Sequence, residues 1–159
     1  MIVEKLMSGE FFNEKLGLRT YTQYILSYTL EDQYHRGPHT FWPFSGAIVA
    51  QGFDRLGFKQ EAAQILHSLL LGLSDFESFV ELFQLQGDKV TLWNSTETPQ
   101  TSSLNQAWTA AAAYYAAGYL INAGQTKHHL IIKLIRDAIT ASSTGLKTIK
   151  KPLSKKIKL

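Results

Sequence analysis

Apolar positions recur along much of the chain at a spacing of three to four residues, which predicts helices. Four segments show this spacing: residues 45–56, 59–73, 104–122 and 126–139. The first helix has Ser45 as its expected N-cap and Gly57 as its expected stop. The predicted inward positions are Ile48, Val49, Phe53 and Leu56 in the first helix, Ala62, Ile65, Leu66, Leu69 and Leu70 in the second, and Leu130, Leu134 and Ile135 in the last.

The third helical segment has the strongest signal. Seven alanines lie between positions 107 and 117, with Trp108, Tyr114, Tyr115 and Tyr119 interleaved. Alanine is the best helix former, and its small side chain lets a neighbouring helix approach closely. Gly124 is the expected end of this helix.

The remaining segments lack helical periodicity. Residues 1–16 predict a short, weak helix, and the β-branched and aromatic content of residues 17–30 predicts extended or loop structure. Residues 75–103 predict a long loop, with room for a short strand at residues 90–93. The order of two helices, a long loop and two more helices predicts an all-α chain of antiparallel helix hairpins.

Composition limits the class of protein. A chain of 159 residues with 45% hydrophobic content predicts one folded domain rather than a disordered segment. The sequence has no cysteine, which excludes disulfides and thiolate chemistry and fits a cytoplasmic location. No apolar run is long enough to cross a membrane, and the N-terminus does not resemble a signal peptide.

The positive charge is concentrated at the C-terminus. Six lysines and no acidic residue lie within residues 147–159, and without them the net charge of +3 becomes −3. We therefore expect a folded domain over residues 1–146 and a basic, flexible tail over 147–159. The tail alone is a weak argument for a nucleic-acid partner, and we do not expect one.

Residues 34–43 combine aromatic rings with polar and charged groups. This stretch includes Tyr34, His35, Arg36 and Trp42, together with prolines and a glycine that fix the backbone path. Flat apolar faces with polar tips suit a sugar ring, which presents C–H groups on one face and hydroxyls at its edge. An aromatic hinge packed in a core is an equally good interpretation of this segment alone.

Three carboxylates lie among phenylalanines and leucines in the predicted long loop. They are Asp75, Glu77 and Glu81, and Glu81 has the most apolar neighbours. A carboxylate in such surroundings must be paired or have a raised pKa. Pairing of Glu81 with Arg19 or Arg36 and a catalytic role for Glu81 both fit the sequence.

Several short motifs, in order, resemble the C-terminal part of the amylo-alpha-1,6-glucosidase family of glycogen debranching enzymes, which are six-hairpin glycosidases. The motifs are Gly-Leu-Arg-Thr at 17–20, Tyr-His-Arg-Gly at 34–37, Trp-Pro at 42–43, Glu-Leu-Phe at 81–83 and Gln-Ala-Trp at 106–108. The family pattern covers residues 3–122, including the Arg-Leu-Gly that ends the first strong helix.

The resemblance implies the last part of an (α/α)6 barrel and an inverting hydrolase of α-linked glucosides. In such enzymes a carboxylic acid and a carboxylate base act on opposite faces of the sugar. Glu81 matches the family's general base, and His35, Arg36, Trp42 and Trp108 match positions that line the sugar pocket. Neither a metal nor another cofactor is implied.

The chain departs from the family pattern in three ways. Val80 stands where the family has proline, residues 37–42 are two longer than usual, and the family's general acid lies upstream of the Gly-Leu-Arg-Thr motif. We therefore expect an incomplete site that needs a complementary N-terminal chain, with an oligosaccharide or glucan as substrate. Alternatives are a non-catalytic carbohydrate-binding remnant and a hydrolase of another short glycoside, such as trehalose or mannosylglycerate.

Overall fold

The computed structural model describes residues 2–22, 39–96 and 98–124. His35, Arg36, the helix predicted at 126–139 and the tail predicted at 147–159 lie outside these ranges. The described part contains the helices α1 (Ile2–Leu6), α2 (Pro43–Arg55), α3 (Lys59–Leu73) and α4 (Ala107–Asn122). Its strands are β1 (Phe12–Asn13), β2 (Gly17–Leu18), β3 (Thr40–Phe41), β4 (Phe83–Gln86) and β5 (Lys89–Leu92).

The prediction of an all-α chain, and with it the last part of an (α/α)6 barrel, is wrong. Helices make up 46% of the described residues, which also form two antiparallel sheets. β1 pairs with β2, and β3, β4 and β5 form a second sheet in that order. The described architecture is therefore mixed α and β.

A hairpin within residues 75–103 accounts for most of this correction. Apolar and polar residues alternate through β4 and β5, as expected for a strand pair with one face toward the core. Gly87 and Asp88 join the strands, and Gly87 has φ of +60°, which suits a tight hairpin turn. The long loop is thus a hairpin followed by a third extended segment, since the Ser102 N–H donates to the Trp93 carbonyl at 2.9 Å.

The three long helices pack against one another around α3. The five inward positions predicted for α3 are all buried, which confirms that helix and its face. α2 and α4 run parallel, because Phe44 contacts Trp108 near their starts and Tyr119 contacts Asp54 near their ends. α3 returns between them after the turn at Gly57, whose φ of +89° confirms the predicted stop.

The predicted start of α2 is wrong, and so are two of its four predicted inward positions, whereas Val49 packs partly buried against the core as predicted. The helix begins at Pro43 with Trp42 as its N-cap, because proline has the φ of a first helical residue and no N–H to satisfy. Ile48 and Leu56 are exposed, although Phe53 is buried as predicted. The buried face instead consists mainly of small residues, Gly46, Ala47 and Ala50, which let α3 and α4 approach closely.

Phe83 is the point at which the helices meet the second sheet. Its ring stacks on Phe41 at 5.6 Å between centroids and contacts Phe76 at 5.7 Å. The backbone of α3 passes directly beneath it, since a Cβ at Gly72 would lie 2.8 Å from the Phe83 Cζ atom. Gly72 therefore fixes how closely β4 packs on α3.

Candidate functional site

Backbone hydrogen bonds fix the position of Glu81. Its N–H donates to the Ser103 carbonyl at 2.8 Å, and the next N–H, of Leu82, donates to the Ser102 Oγ at 2.8 Å. The Gln106 N–H donates to the Phe79 carbonyl at 2.8 Å. Residues 79–82 are thereby held alongside residues 102–106, directly before α4 begins. Glu81 itself is buried, with only 9% of its surface exposed.

The register of the second sheet brings Trp42 to the same end as Glu81. Phe41 pairs with Phe83 in the antiparallel β3–β4 pair. The chain after Phe41 therefore runs alongside the chain before Phe83, which contains Leu82 and Glu81. Trp42 follows β3 and is the N-cap of α2. Glu81 precedes β4 and is held beside the residues that lead into α4.

Three aromatic rings form a continuous row across the starts of α2 and α4. Trp42 contacts Phe44 with ring centroids 5.3 Å apart, and Phe44 contacts Trp108 at 5.2 Å. Trp42 and Phe44 are partly buried, whereas 56% of the surface of Trp108 is exposed. We call Trp42, Phe44 and Trp108 the aromatic row; it presents an aromatic surface to solvent at the end of the molecule where Glu81 precedes β4.

Arg19 lies on the other side of β3. Its guanidinium carbon is 5.4 Å from the centroid of the Phe41 ring, a cation–π contact, and its Nη1 donates to the Gly9 carbonyl at 3.4 Å. A bridge between Arg19 and Phe41 continues the second sheet toward β2. Arg36, the other arginine considered as a partner of Glu81, lies outside the described residues.

Of the residues singled out from the sequence, the structure brings Trp42, Trp108 and Glu81 to one end of the molecule. Asp75 and Glu77 are exposed in the turn after α3. The sequence analysis missed Phe44, the ring that joins the two tryptophans. Its position next to the Trp-Pro motif was a usable signal, because an aromatic residue in the first turn of a helix remains close to the N-cap.

The opposite ends of α2 and α4 carry a polar cluster. The Tyr119 hydroxyl donates to the Asp54 Oδ1 at 2.9 Å, and the Lys59 Nζ lies 2.9 Å from the same oxygen. Hydrogen bonds from Lys59 and then Tyr119 lower the pKa of Asp54 below its usual value. Burial and the hydrogen bond to Asp54 raise the pKa of Tyr119 to about 12. We call Asp54, Lys59 and Tyr119 the polar clamp.

Within residues 2–22, 39–96 and 98–124, no three histidine, aspartate or glutamate side chains are grouped so that they could hold a metal ion. None of the helices in these ranges is both long and apolar enough to cross a membrane.

Comparisons with family models, with curated proteins and with solved structures find no match for this chain. The features of this chain that bear on function are therefore the geometry of the aromatic row and Glu81 and the motif resemblance.

Proposed function

We propose that the chain binds an α-linked sugar on the aromatic row and that Glu81 is the general base of an inverting glycoside hydrolase. The observation that carries this proposal is the convergence of an aromatic surface and a buried carboxylate at one end of the molecule. The mixed α and β architecture is not an argument for it. A debranching-type α-1,6-glucosidase is the enzyme class that the motifs favour.

The aromatic row supports the binding part of the proposal. An indole ring offers a flat, polarisable face to the C–H groups of a sugar and an N–H at its edge for a hydroxyl. Trp108 is exposed and is held against Phe44, so stacking of a sugar on it needs no opening of the core. A hydroxyl-rich ligand keeps its outer hydroxyls in water at such an open surface.

The fixed backbone of Glu81 supports the catalytic part. A general base must hold its carboxylate in one position to orient a water molecule toward the anomeric carbon. The hydrogen bonds from the Glu81 and Leu82 N–H groups to Ser103 and Ser102 fix the backbone from which that carboxylate extends. Inversion needs a second carboxyl group about 6.5–9.5 Å away, which leaves room for the water. We assign the second group, the general acid, to a complementary chain.

The alternative is a sugar-binding protein without catalysis. The exposed Trp108 favours this alternative as much as it favours the enzyme, since stacking alone needs no base. The two differ in the role of Glu81, which is essential for turnover in an enzyme and dispensable in a binding protein. For the enzyme, the alternative substrates are other short glycosides such as trehalose or mannosylglycerate.

Binding is tested first, by titration of the protein with short α-glucosides while NMR shifts of the tryptophan indole groups are followed. Trp108→Ala should weaken binding at least several-fold. Tyr114→Ala is the matched control, because Tyr114 is an exposed aromatic residue of the same helix outside the row. Equal affinities of the two variants and the native chain would refute sugar binding on the aromatic row.

Catalysis is tested with Glu81→Gln, which preserves size and hydrogen bonding but cannot accept the proton of the water. The chain alone should hydrolyse α-glucosides negligibly, since loss of general-acid assistance costs about 10²–10⁴-fold in rate. With a complementary chain that supplies the acid, turnover should appear and Glu81→Gln should abolish it without loss of binding. Unchanged turnover with glutamine at position 81 would exclude Glu81 as the base.

A further inference from the structure

Leu82, Trp93 and Ser102 meet directly after Glu81, where three extended segments of the chain come together. Leu82 precedes β4, Trp93 follows β5, and Ser102 belongs to the segment that leads to α4. Leu82 and Trp93 are 0% exposed, and Ser102 is 3% exposed. We call these three residues the junction. Water does not reach the junction, so its backbone polar groups need partners within the chain.

Three hydrogen bonds close the junction, each between a different pair of its residues. The Trp93 N–H donates to the Leu82 carbonyl at 3.3 Å, and the Ser102 N–H donates to the Trp93 carbonyl at 2.9 Å. The Leu82 N–H donates to the Ser102 Oγ at 2.8 Å. Two of the acceptors are backbone carbonyls and the third is a side-chain oxygen. The Ser102 hydroxyl thus takes the place that a backbone carbonyl has in a regular sheet.

The same hydroxyl links the junction to Glu81. The Ser102 hydroxyl donates to the Ser103 carbonyl at 3.4 Å, and that carbonyl accepts the Glu81 N–H at 2.8 Å. One side chain therefore connects the bonds made by two successive backbone N–H groups, those of Glu81 and Leu82. Because each peptide group is planar, fixing the two that flank Glu81 also fixes the direction of its Cα–Cβ bond.

We propose that Ser102 is a positioning residue of the hydrolase. Its hydroxyl sets the direction in which the Glu81 side chain leaves the backbone, and thereby the place where the base meets the attacking water. The inference rests on the proposed function, because it requires Glu81 to be the base. Ser102 acts through Glu81 and needs no contact with the substrate. Misplacement of a reacting group by about 1 Å can cost about 10²-fold in rate.

α-Glucosyl fluoride allows the base to be tested without the general acid, because fluoride leaves the anomeric carbon without being protonated. The oxygen of a water molecule bonds to that carbon as the C–F bond breaks, and the bonding electron pair leaves with fluoride. The Glu81 carboxylate takes one proton from the water. The products are β-glucose and fluoride ion, and an ion-selective electrode measures the fluoride. The native chain should turn this substrate over without a complementary chain, and Glu81→Gln should not.

Ser102→Ala should lower kcat for α-glucosyl fluoride by roughly tenfold to a hundredfold. KM should stay almost unchanged, because the aromatic row is intact. Ser102→Thr should restore part of kcat, because threonine keeps the hydroxyl. Ser68→Ala is the matched control: Ser68 is also 3% exposed, and its hydroxyl donates to the Glu14 carbonyl at 2.6 Å, where α3 meets the turn between β1 and β2. That variant should lose stability and keep its kcat.

The possible outcomes separate the positioning role from the proposed function. Equal turnover by the native chain and Glu81→Gln would overturn both. Loss of turnover in Glu81→Gln with native kcat in Ser102→Ala would overturn the positioning role alone. An equal loss of kcat in Ser68→Ala and Ser102→Ala would do the same, since general destabilisation would then explain it. If Ser102→Ala does not fold, Ser102→Cys replaces it, because a thiol is only a weak acceptor, and native kcat in that variant would likewise contradict the role.

Discussion

The two ends of the parallel pair α2 and α4 are built from the same two helices and yet differ in chemistry. At the C-terminal ends, the polar clamp satisfies its own charges and hydrogen bonds among three side chains. At the N-terminal ends, the aromatic row leaves much of Trp108 in water, at the same end of the molecule as the buried Glu81.

The difference separates a stabilising end from an end available for binding. Groups that already bond to one another within the protein have little left to offer a ligand. The exposed Trp108 indole still has a flat apolar face to offer a ligand. We therefore expect changes at the aromatic end to affect binding, and changes at the clamp to affect stability alone.

The largest effect on stability should come from Gly72→Ala, which breaks the packing under the aromatic end. The new Cβ would lie 2.8 Å from Phe83 Cζ and 3.3 Å from Leu16 Cα, and Phe83 is fully buried between other rings. Overpacking of this kind should lower the free energy of unfolding by about 2–3 kcal/mol. Chemical denaturation measures this loss. Sugar binding should weaken as well, because β4 follows Glu81 in the chain and a shift of β4 would displace Glu81.

Gly52→Ala is the control for that experiment. Gly52 is also in a helix interior, but a Cβ there has no neighbour within 4 Å. Because alanine favours the helix, this variant should gain about 0.5–1 kcal/mol in unfolding free energy. If both variants were equally stable, the close approach of α3 and Phe83 would not be a determinant of the fold.

Ser102→Ala should lower the free energy of unfolding by less than Gly72→Ala does, and Ser103→Ala is its control. The Ser102 hydroxyl is the acceptor for the buried Leu82 N–H, so its removal should cost about 1–2 kcal/mol in unfolding free energy. Ser103 bonds Glu81 through its carbonyl, which survives the substitution. Ser103→Ala should therefore be nearly neutral in the same denaturation experiment, and the reverse order of effects would contradict the assigned bonds.

The smallest effect concerns the polar clamp and appears only at high pH. The pKa of Tyr119 is about 12 in the folded chain, against 10.0 for an unperturbed tyrosine. Because this pKa is raised, the contribution of Tyr119 to the free energy of unfolding is fully present below pH 10 and is lost as the pH rises toward 12. The midpoint of unfolding should fall over this interval, and Tyr119→Phe should reduce the fall without changing sugar binding at neutral pH. A pH dependence identical to that of the native chain would refute the clamp.

The sequence predicted the helices better than the sheets. α3 was found with its inward face because large apolar residues mark that face at helical spacing. Only Val49 and Phe53 on the inward face of α2 were predicted, since the buried Gly46, Ala47 and Ala50 are small and carry little apolar signal. Only the second strand of the β4–β5 hairpin was predicted, at residues 90–93, although Gly87-Asp88 between two alternating segments is a recognised turn signal.

The candidate site was only partly predictable for a different reason. Trp42, Glu81 and Trp108 could be chosen by residue type and motif, but their proximity depends on the pairing of Phe41 with Phe83. The residue types of Phe41 and Phe83 do not indicate that pairing, because both are simply large and apolar. Phe44 was missed because its role depends on the parallel arrangement of α2 and α4, which is a property of the packed chain.

The pairing of Phe41 with Phe83 also sets an order of events during folding. The segment between them contains the whole α2–α3 hairpin, whose own contacts are local and form early. Before that hairpin exists, bringing β3 to β4 requires closure of a long flexible loop at a large entropic cost. Once it has formed, the two strands are attached to a compact, rigid unit. We therefore expect the end that carries Glu81 to assemble late, at a rate set by the formation of the α2–α3 hairpin.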